Sequence, residues 1–279
     1  MSFQDVISYA GKRVVVTGAA SGMGAATIKY LADLGADIIS LDIQPIEAGP
    51  WKAINMDMGD RASIDKTVKE IGGPVDGLFN VAGVAGGRGR EKLAMMVNFF
   101  GLRHLTQSLL PVMTRGSGIV NVSSLAGFRY QVMREANEPM LALATMEEAS
   151  EWLDRTENQE RYNGYGTSKE LLNLWTVLNC KEYAEKYGIR INVVAPGTTE
   201  TPLLGAFRQN AIDRMGNDAA VVGARGFFGR FATSEDQAAA CVYLNSTAAS
   251  IVNGVILPVD GGMDGNMKAA QIDPGVRGR

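Results

Sequence analysis

Arg13-Val14-Val15-Val16-Thr17-Gly18-Ala19-Ala20-Ser21-Gly22-Met23-Gly24 stands near the start of the chain, and its reading decides the fold. Val14 to Thr17 form an unbroken β-branched run, the pattern of a strand buried on both faces. Glycines then mark a turn, and from Gly24 to Leu34 the apolar residues recur at helical spacing. A strand that passes through a glycine-rich turn straight into a helix gathers backbone N–H groups at the positive end of that helix. This arrangement suits the pyrophosphate of a nucleotide. The glycine spacing is Gly-x-x-x-Gly-x-Gly rather than the common Gly-x-Gly-x-x-Gly, so the turn alone is also readable as a tight strand-to-helix connection.

The same alternation continues downstream. Strands are predicted over 13–17, 37–42, 53–56, 77–81, 119–122, 190–195 and 255–259, and helices over 24–34, 63–71, 95–113, 165–187 and 234–245. Crossovers of this length return the chain parallel, which gives an α/β fold with a doubly wound, seven-stranded parallel sheet and helices on both faces. No linker or repeat divides the sequence, so residues 1–279 are read as a single domain. Two segments break the alternation, 128–161 and 202–233.

Asp42 ends the second strand about two dozen residues beyond the cradle, where an acidic side chain can bind the ribose 2′-hydroxyl of NAD and repel the 2′-phosphate of NADP. Ala19-Ala20-Ser21 offers no basic residue to offset that charge, and the nearest downstream candidate is Lys52. NAD is therefore the expected cofactor. Further on, Tyr165-Gly166-Thr167-Ser168-Lys169 puts a tyrosine and a lysine one helical turn apart on the same face. A nearby ammonium favours phenolate over phenol, so Lys169 is expected to lower the pKa of Tyr165.

Taken with Asn80-Val81-Ala82-Gly83, Asn98, Ser123-Ser124-Leu125-Ala126-Gly127, Pro196-Gly197 and Val259-Asp260-Gly261-Gly262, these motifs make the chain resemble the short-chain dehydrogenase/reductase family from about Lys12 to Gly262. The resemblance implies a Rossmann-like fold and hydride exchange between a nicotinamide cofactor and a ketone or secondary alcohol. It assigns Ser124 to the substrate oxygen, Tyr165 to general acid/base work, Lys169 to the nicotinamide ribose and Asn98 to a proton relay. By the same carry-over Gly18, Ser21, Gly22, Met23 and Gly24 hold the pyrophosphate and ribose, Asp42 the adenosine ribose, and Asp57 with Met58 the adenine. Asn80, Ala82 and Gly83 line the ribose side together with Tyr165 and Lys169, and Pro196, Gly197, Thr198 and Thr201 the nicotinamide side.

Two departures narrow the resemblance. The stretch between Ser124 and Tyr165 is much longer than in most members, and that between Gly83 and Asn98 is shorter. Together with Gly197-Thr198-Thr199-Glu200-Thr201-Pro202-Leu203-Leu204 they look like the bacterial 3α-hydroxysteroid dehydrogenase/carbonyl reductase branch, which implies a bulky, alicyclic or steroid-like substrate. The insert, with its apolar patch and amphipathic helix, is expected to wall the substrate pocket or to cover an assembly face. Phe207, Met215, Phe227, Phe228 and Phe231 add apolar surface. The tail, 265–279, is read as either a mobile end or a partner-facing strap. A carrier-linked 3-oxoacyl reductase and a non-catalytic nucleotide-sensing member are the competing functions.

Composition removes other classes. With 27 Lys+Arg against 30 Asp+Glu the net charge is −3 and no basic run is present, so nucleic acid is not an expected partner. Cys180 and Cys241 are too few for a disulfide framework and lack metal-ligand spacing. No stretch has the length of a membrane span, and no signal-peptide core precedes Arg13, so a cytoplasmic protein is expected. His104, the single histidine, is read as structural, and no metal site is expected. A small-molecule ketone or secondary alcohol, and further copies of the chain in a dimer or tetramer, are the expected partners.

Overall fold

The computed structural model describes residues 2–273, so the last part of the tail, 274–279, lies outside the described residues. After a short helix α1 (Phe3–Ile7) come β1 (Arg13–Thr17), α2 (Gly22–Asp33), β2 (Asp37–Asp42), β3 (Trp51–Asn55), α3 (Arg61–Ile71) and β4 (Val75–Asn80). The second half runs α4 (Glu91–Met95), α5 (Leu102–Leu109), β5 (Met113–Val122), α6 (Arg134–Leu141), α7 (Met146–Asp154), α8 (Tyr165–Tyr187) and β6 (Arg190–Pro196). It closes with α9 (Pro202–Met215), α10 (Ala219–Gly223), α11 (Ser234–Asn245), β7 (Ile256–Val259) and α12 (Met263–Ile272). The seven strands form one parallel sheet, as the alternation predicts, and their order is β3-β2-β1-β4-β5-β6-β7. Strand order reverses between β1 and β4, and this switch point opens the crevice at the carboxyl ends of the strands.

Alternation along β1 sends its side chains to two separate cores. Val14 and Val16 pack with Ile28 and Leu31 of α2 and Leu244 of α11 on one face. Val15 joins Ile39, Leu78, Ile119 and Ile191 on the other, under Ile64 of α3, Leu105 of α5 and Leu171 and Leu172 of α8. Burial on both faces is what a continuous valine run requires.

The predicted helix 95–113 is subdivided. Between α4 and α5 the backbone widens into a π-turn, Met96–Gly101, and a 3₁₀ turn, Leu110–Val112, leads into β5. The insert is helical too, but its place corrects an expectation. Met140 of α6 and Met146, Ala149 and Leu153 of α7 are buried in the same core as Phe99, Phe100 and Trp175. The Arg103 guanidinium satisfies the carbonyls of Leu141 (3.1 Å) and Leu143 at the C-terminal end of α6. Asn137 donates to Glu170 of α8 at 3.1 Å, and Arg61 of α3 meets Glu147 of α7 at 2.8 Å. The segment is thus a third layer on α5 and α8, and it contributes no lining residue to the cavities described below.

Segment 202–233, by contrast, begins as helix α9 with Pro202 in the first turn, where a missing N–H costs nothing. Its base is tied by a parallel bridge of Thr199 to Ala232. Among the described residues no helix is long and apolar enough to cross a membrane.

Candidate active site

The glycine turn is built by exclusion of side chains. Gly18 has φ 71°, and a Cβ on it would stand 2.8 Å from the Cα of Ala82; one on Gly24 would stand 1.9 Å from the carbonyl oxygen of Gly18. Only glycine lets α2 start so close to the end of β1. Ser21, at the N-cap of α2, makes no side-chain capping bond, so the first-turn N–H groups and the serine hydroxyl stay available to an anion. Thr17 Oγ1 accepts from the N–H groups of Val81 and Ala82, both at 3.0 Å, which locks the β4 end onto the cradle.

A cavity of about 450 Å³ runs from here along the sheet edge, lined by Gly18, Ser21, Gly22, Met23, Gly24, Asp42, Asp57, Met58, Ala82, Gly83 and Thr201. The Asp42 carboxylate is fixed by the N–H groups of Ala20 (3.0 Å) and Gln44 (2.8 Å), one on each oxygen. Asp57 accepts from Gly59 N–H at 2.7 Å. Lys52 points elsewhere, with Nζ 3.1 Å from Glu70. Ile43, Val97, Leu93 and Arg90 line the same cavity. Sequence reading missed them because they carry no motif, although Val97 adjoins Asn98.

Asn80 does not reach the cavity. Its amide nitrogen donates to Thr106 Oγ1 and Asn121 Oδ1, both at 2.9 Å, and Asn121 donates on to Thr176 at 3.0 Å. Fully buried, it joins β4, β5, α5 and α8 through a polar ladder. The reason is strand alternation: the last residue of β4 turns its side chain into a helix-covered face rather than along the strand axis.

A second cavity, of about 430 Å³, adjoins the first and shares Met23, Thr201 and Leu203 with it. Ser123, Ser124, Tyr165, Pro196, Gly197, Thr198, Leu204, Phe207, Val221 and Met263 line it. No lining residue is charged among those described. Ser124 caps the 3₁₀ turn Leu125–Tyr130 by accepting from Ala126 N–H at 3.2 Å, and its hydroxyl also bonds Tyr165. Tyr165 opens α8 directly after Gly164, whose φ of 73° lets the chain pass against Glu91. Phe207 meets the Tyr165 ring edge-on at 4.8 Å. Met263 and Val221 were not singled out from the sequence, since nothing local distinguishes them from ordinary apolar residues.

Lys169 lies one turn behind Tyr165, its Nζ 5.7 Å from the ring centre and 2.8 Å from the carbonyl oxygen of Val122. Burial pushes this lysine down to about 8. The expected lowering of the tyrosine by the lysine is not what the site displays. Burial raises Tyr165 above the ordinary phenol value, and the opposing influence is the Ser124 hydrogen bond. Desolvation in an apolar pocket outweighs a neighbouring lysine that is itself desolvated.

Asn98, in the π-turn, is also one step removed. Its Oδ1 accepts from Val84 N–H at 2.8 Å, and its Nδ2 donates to the Val84 carbonyl at 3.0 Å and to Ser168 at 3.2 Å. Its side chain thereby holds the Gly83-Val84 segment. π-Turns of this kind recur at functional sites. Gly83 lies between the two: a Cβ there would be 3.3 Å from Asn98 Oδ1 and 3.7 Å from Lys169 Nζ. The described residues include no group of three or more His, Cys, Asp or Glu able to hold a metal, and His104 pairs with Asp65 at 2.7 Å on the surface.

The chain is similar to known proteins in sequence and fold. Residues 12–136 match the sequence profile described as short chain dehydrogenase, and residues 151–264 the one described as Enoyl-(Acyl carrier protein) reductase; the gap between them falls inside the insert. The 3-alpha-hydroxysteroid dehydrogenase/carbonyl reductase of Comamonas testosteroni is 31% identical over 92% of this chain and 98% of its own length. A coniferyl-alcohol dehydrogenase from Pseudomonas sp. is 29% identical over 90% and 96%. Among solved structures, the 3-alpha-hydroxysteroid dehydrogenase from Pseudomonas sp. B-0831 complexed with NADH superposes with a TM-score of 0.76 at 29% identity, covering 92% of this chain and 99% of that one. A putative NAD(P)-dependent gluconate 5-dehydrogenase from Beutenbergia cavernae with bound NADP gives 0.70 at 26%, covering 93% and 99%. The chain belongs to the short-chain dehydrogenase/reductase family. It is an oxidoreductase of the alcohol/ketone type whose Rossmann-like fold binds a nicotinamide dinucleotide.

Proposed function

We propose that this protein interconverts a bulky, uncharged alicyclic secondary alcohol and its ketone with NAD(H). The observation that carries the reading is Ser124 and Tyr165 together on the wall of an apolar cavity with no charged lining, adjoining the glycine cradle. The residues of the cradle fit a dinucleotide, because side chains are excluded where the phosphates approach.

When bound, the nicotinamide supplies or takes up the hydride. In reduction, the hydroxyls of Ser124 and Tyr165 donate to the ketone oxygen as it gains negative charge, and Tyr165 passes it a proton. Burial favours its phenol form, the form that reduction needs. Oxidation runs in reverse, with the alcohol proton moving to the Tyr165 oxygen. Lys169 spends one N–H on Val122 and keeps two for ribose hydroxyls. Asn98 positions Gly83 and Val84 against that ribose.

Preference for NAD is supported by the fixed Asp42 carboxylate and by the diversion of Lys52 to Glu70. A carrier-linked oxoacyl reductase would need a cation at the mouth of the substrate cavity, and the lining gives that reading no support. The test is a pair of cyclic ketones of matched size, one neutral and one bearing a carboxylate, each assayed with NADH and NADPH. The neutral ketone with NADH should show the highest kcat/KM, and Asp42→Ala should narrow the cofactor preference. A preference for the acid would overturn the substrate class, and a preference for NADPH the cofactor.

A further inference from the structure

The dinucleotide cavity must receive two phosphates, yet acidic groups outnumber basic ones in its lining. Its charged lining consists of the carboxylates of Asp42 and Asp57 and one cation, Arg90. Arg90 is exposed to the cleft, and its guanidinium makes no hydrogen bond or ion pair with any described residue. Lys52, on β3 beside the Asp42 strand, is held by Glu70.

Arg90, Leu93 and Val97 share one helical face through α4 and into the π-turn, and all three line the cavity. Val97 marks the deep end of that stripe, packed beside Gly59 next to the Asp57-Met58 floor. Arg90 stands at the outer end, and its backbone N–H is anchored on the carbonyl oxygen of Gly87 at 2.9 Å. The order β2-β1-β4 sets Asp42 and the segment carrying Arg90 on opposite sides of β1, whose end leads into the glycine cradle.

From this placement we propose that Arg90 is a phosphate contact of the bound dinucleotide, holding the pyrophosphate from the side opposite the start of α2. A planar guanidinium is suited to two phosphate oxygens at once. It would offset the repulsion that Asp42 and Asp57 impose on an incoming dianion. The backbone N–H groups of the cradle would take the other side. The proposal rests on the family's use of a nicotinamide dinucleotide and is independent of the substrate reading.

Binding, measured without turnover, tests it. NADH and NADPH are titrated into wild type, R90A and R90K, following cofactor fluorescence, and adenosine is used to displace NADH. Loss of one charge-assisted contact should raise Kd for NADH and NADPH by the same factor, about ten-fold, in R90A. R90K should recover part of the loss, the salt dependence of NADH binding should flatten in R90A, and adenosine affinity should not change. Weakening confined to NADPH would overturn the pyrophosphate assignment and put Arg90 at the 2′-phosphate. An equal loss for adenosine would make Arg90 a stacking residue for the base. Unchanged Kd values in both variants would leave it a solvated surface arginine. Equal melting temperatures of the three proteins secure the comparison, and the NADH/NADPH ratio of the wild type reads the cofactor preference separately.

Discussion

The insert, 128–161, and the segment that begins with α9 both interrupt the strand–helix alternation, and both carry large apolar and aromatic residues. They end in opposite situations. In α6 and α7 the apolar residues Met140, Met146, Ala149 and Leu153 are buried in the core with Phe99 and Trp175, and the pocket is lined by none of them. In α9 only Ala211 is buried, while Leu203, Leu204 and Phe207 face a cavity and Met215 is 55% exposed. A helix whose large apolar side chains are covered by the core acts as scaffold. One whose side chains are half covered, over a cavity that holds a tyrosine and a serine, acts as a wall for something else to complete. Tyr165 stands where the two meet: α8 is braced by the insert on one side, and its first residue is touched by Phe207 on the other.

The sharpest separation of chemistry from both neighbours is Tyr165→Phe. Removing the hydroxyl should lower kcat by about 10²–10⁴-fold, with NADH binding and melting temperature little changed. Turnover near the wild-type rate would show that the comparison turns on the wrong residue.

Next in size is Met140→Ala in the insert. Emptying a fully buried site should cost about 2–5 kcal/mol in chemical denaturation, while the ratio of kcat/KM for bulky and small ketones stays constant. A shifted ratio with unchanged stability would make the insert a pocket wall after all.

Phe207→Ala should behave in the opposite way. Loss of its edge-on contact with Tyr165 and of apolar wall, at about 25 cal/mol per Å², should depress kcat/KM for bulky ketones about ten-fold more than for small ones. Denaturation curves should hardly move. Equal losses for both ketones would remove α9 from the substrate wall.

The smallest expected effect is at the rim of the insert. Hydrogen bonding to its own backbone N–H, then Arg61, holds Glu147 below its ordinary carboxylate value. A depressed carboxylate stabilises the fold above its unfolded pKa and loses that contribution as pH falls through the folded one. Glu147→Gln should therefore cost less than about 1 kcal/mol at neutral pH, as exposed pairs do, and the difference from wild type should vanish in acid. A cost that persists well below the carboxylate range would mean packing rather than charge fixes α7.

Val14 to Thr17, Gly18, Gly22 and Gly24 announced a buried strand, a turn without side chains and a helix start, because each of these demands is met by contiguous residues. Spacing likewise made Tyr165 and Lys169 neighbours before any tertiary contact is considered, and Asp42 follows from where its strand must stop. What the tertiary structure alone decided is which surface each remaining group meets. Asn80 is turned by strand alternation into a buried ladder with Thr106 and Asn121, and Asn98 is spent on Val84 and Ser168. Arg90 rather than Lys52 reaches the nucleotide cleft, from a segment far along the chain. Periodicity states that the insert and α9 each need cover, but not what covers them. That choice belongs to long-range packing, where α5 and α8 offered one helix pair a complete core and left the other to roof a cavity.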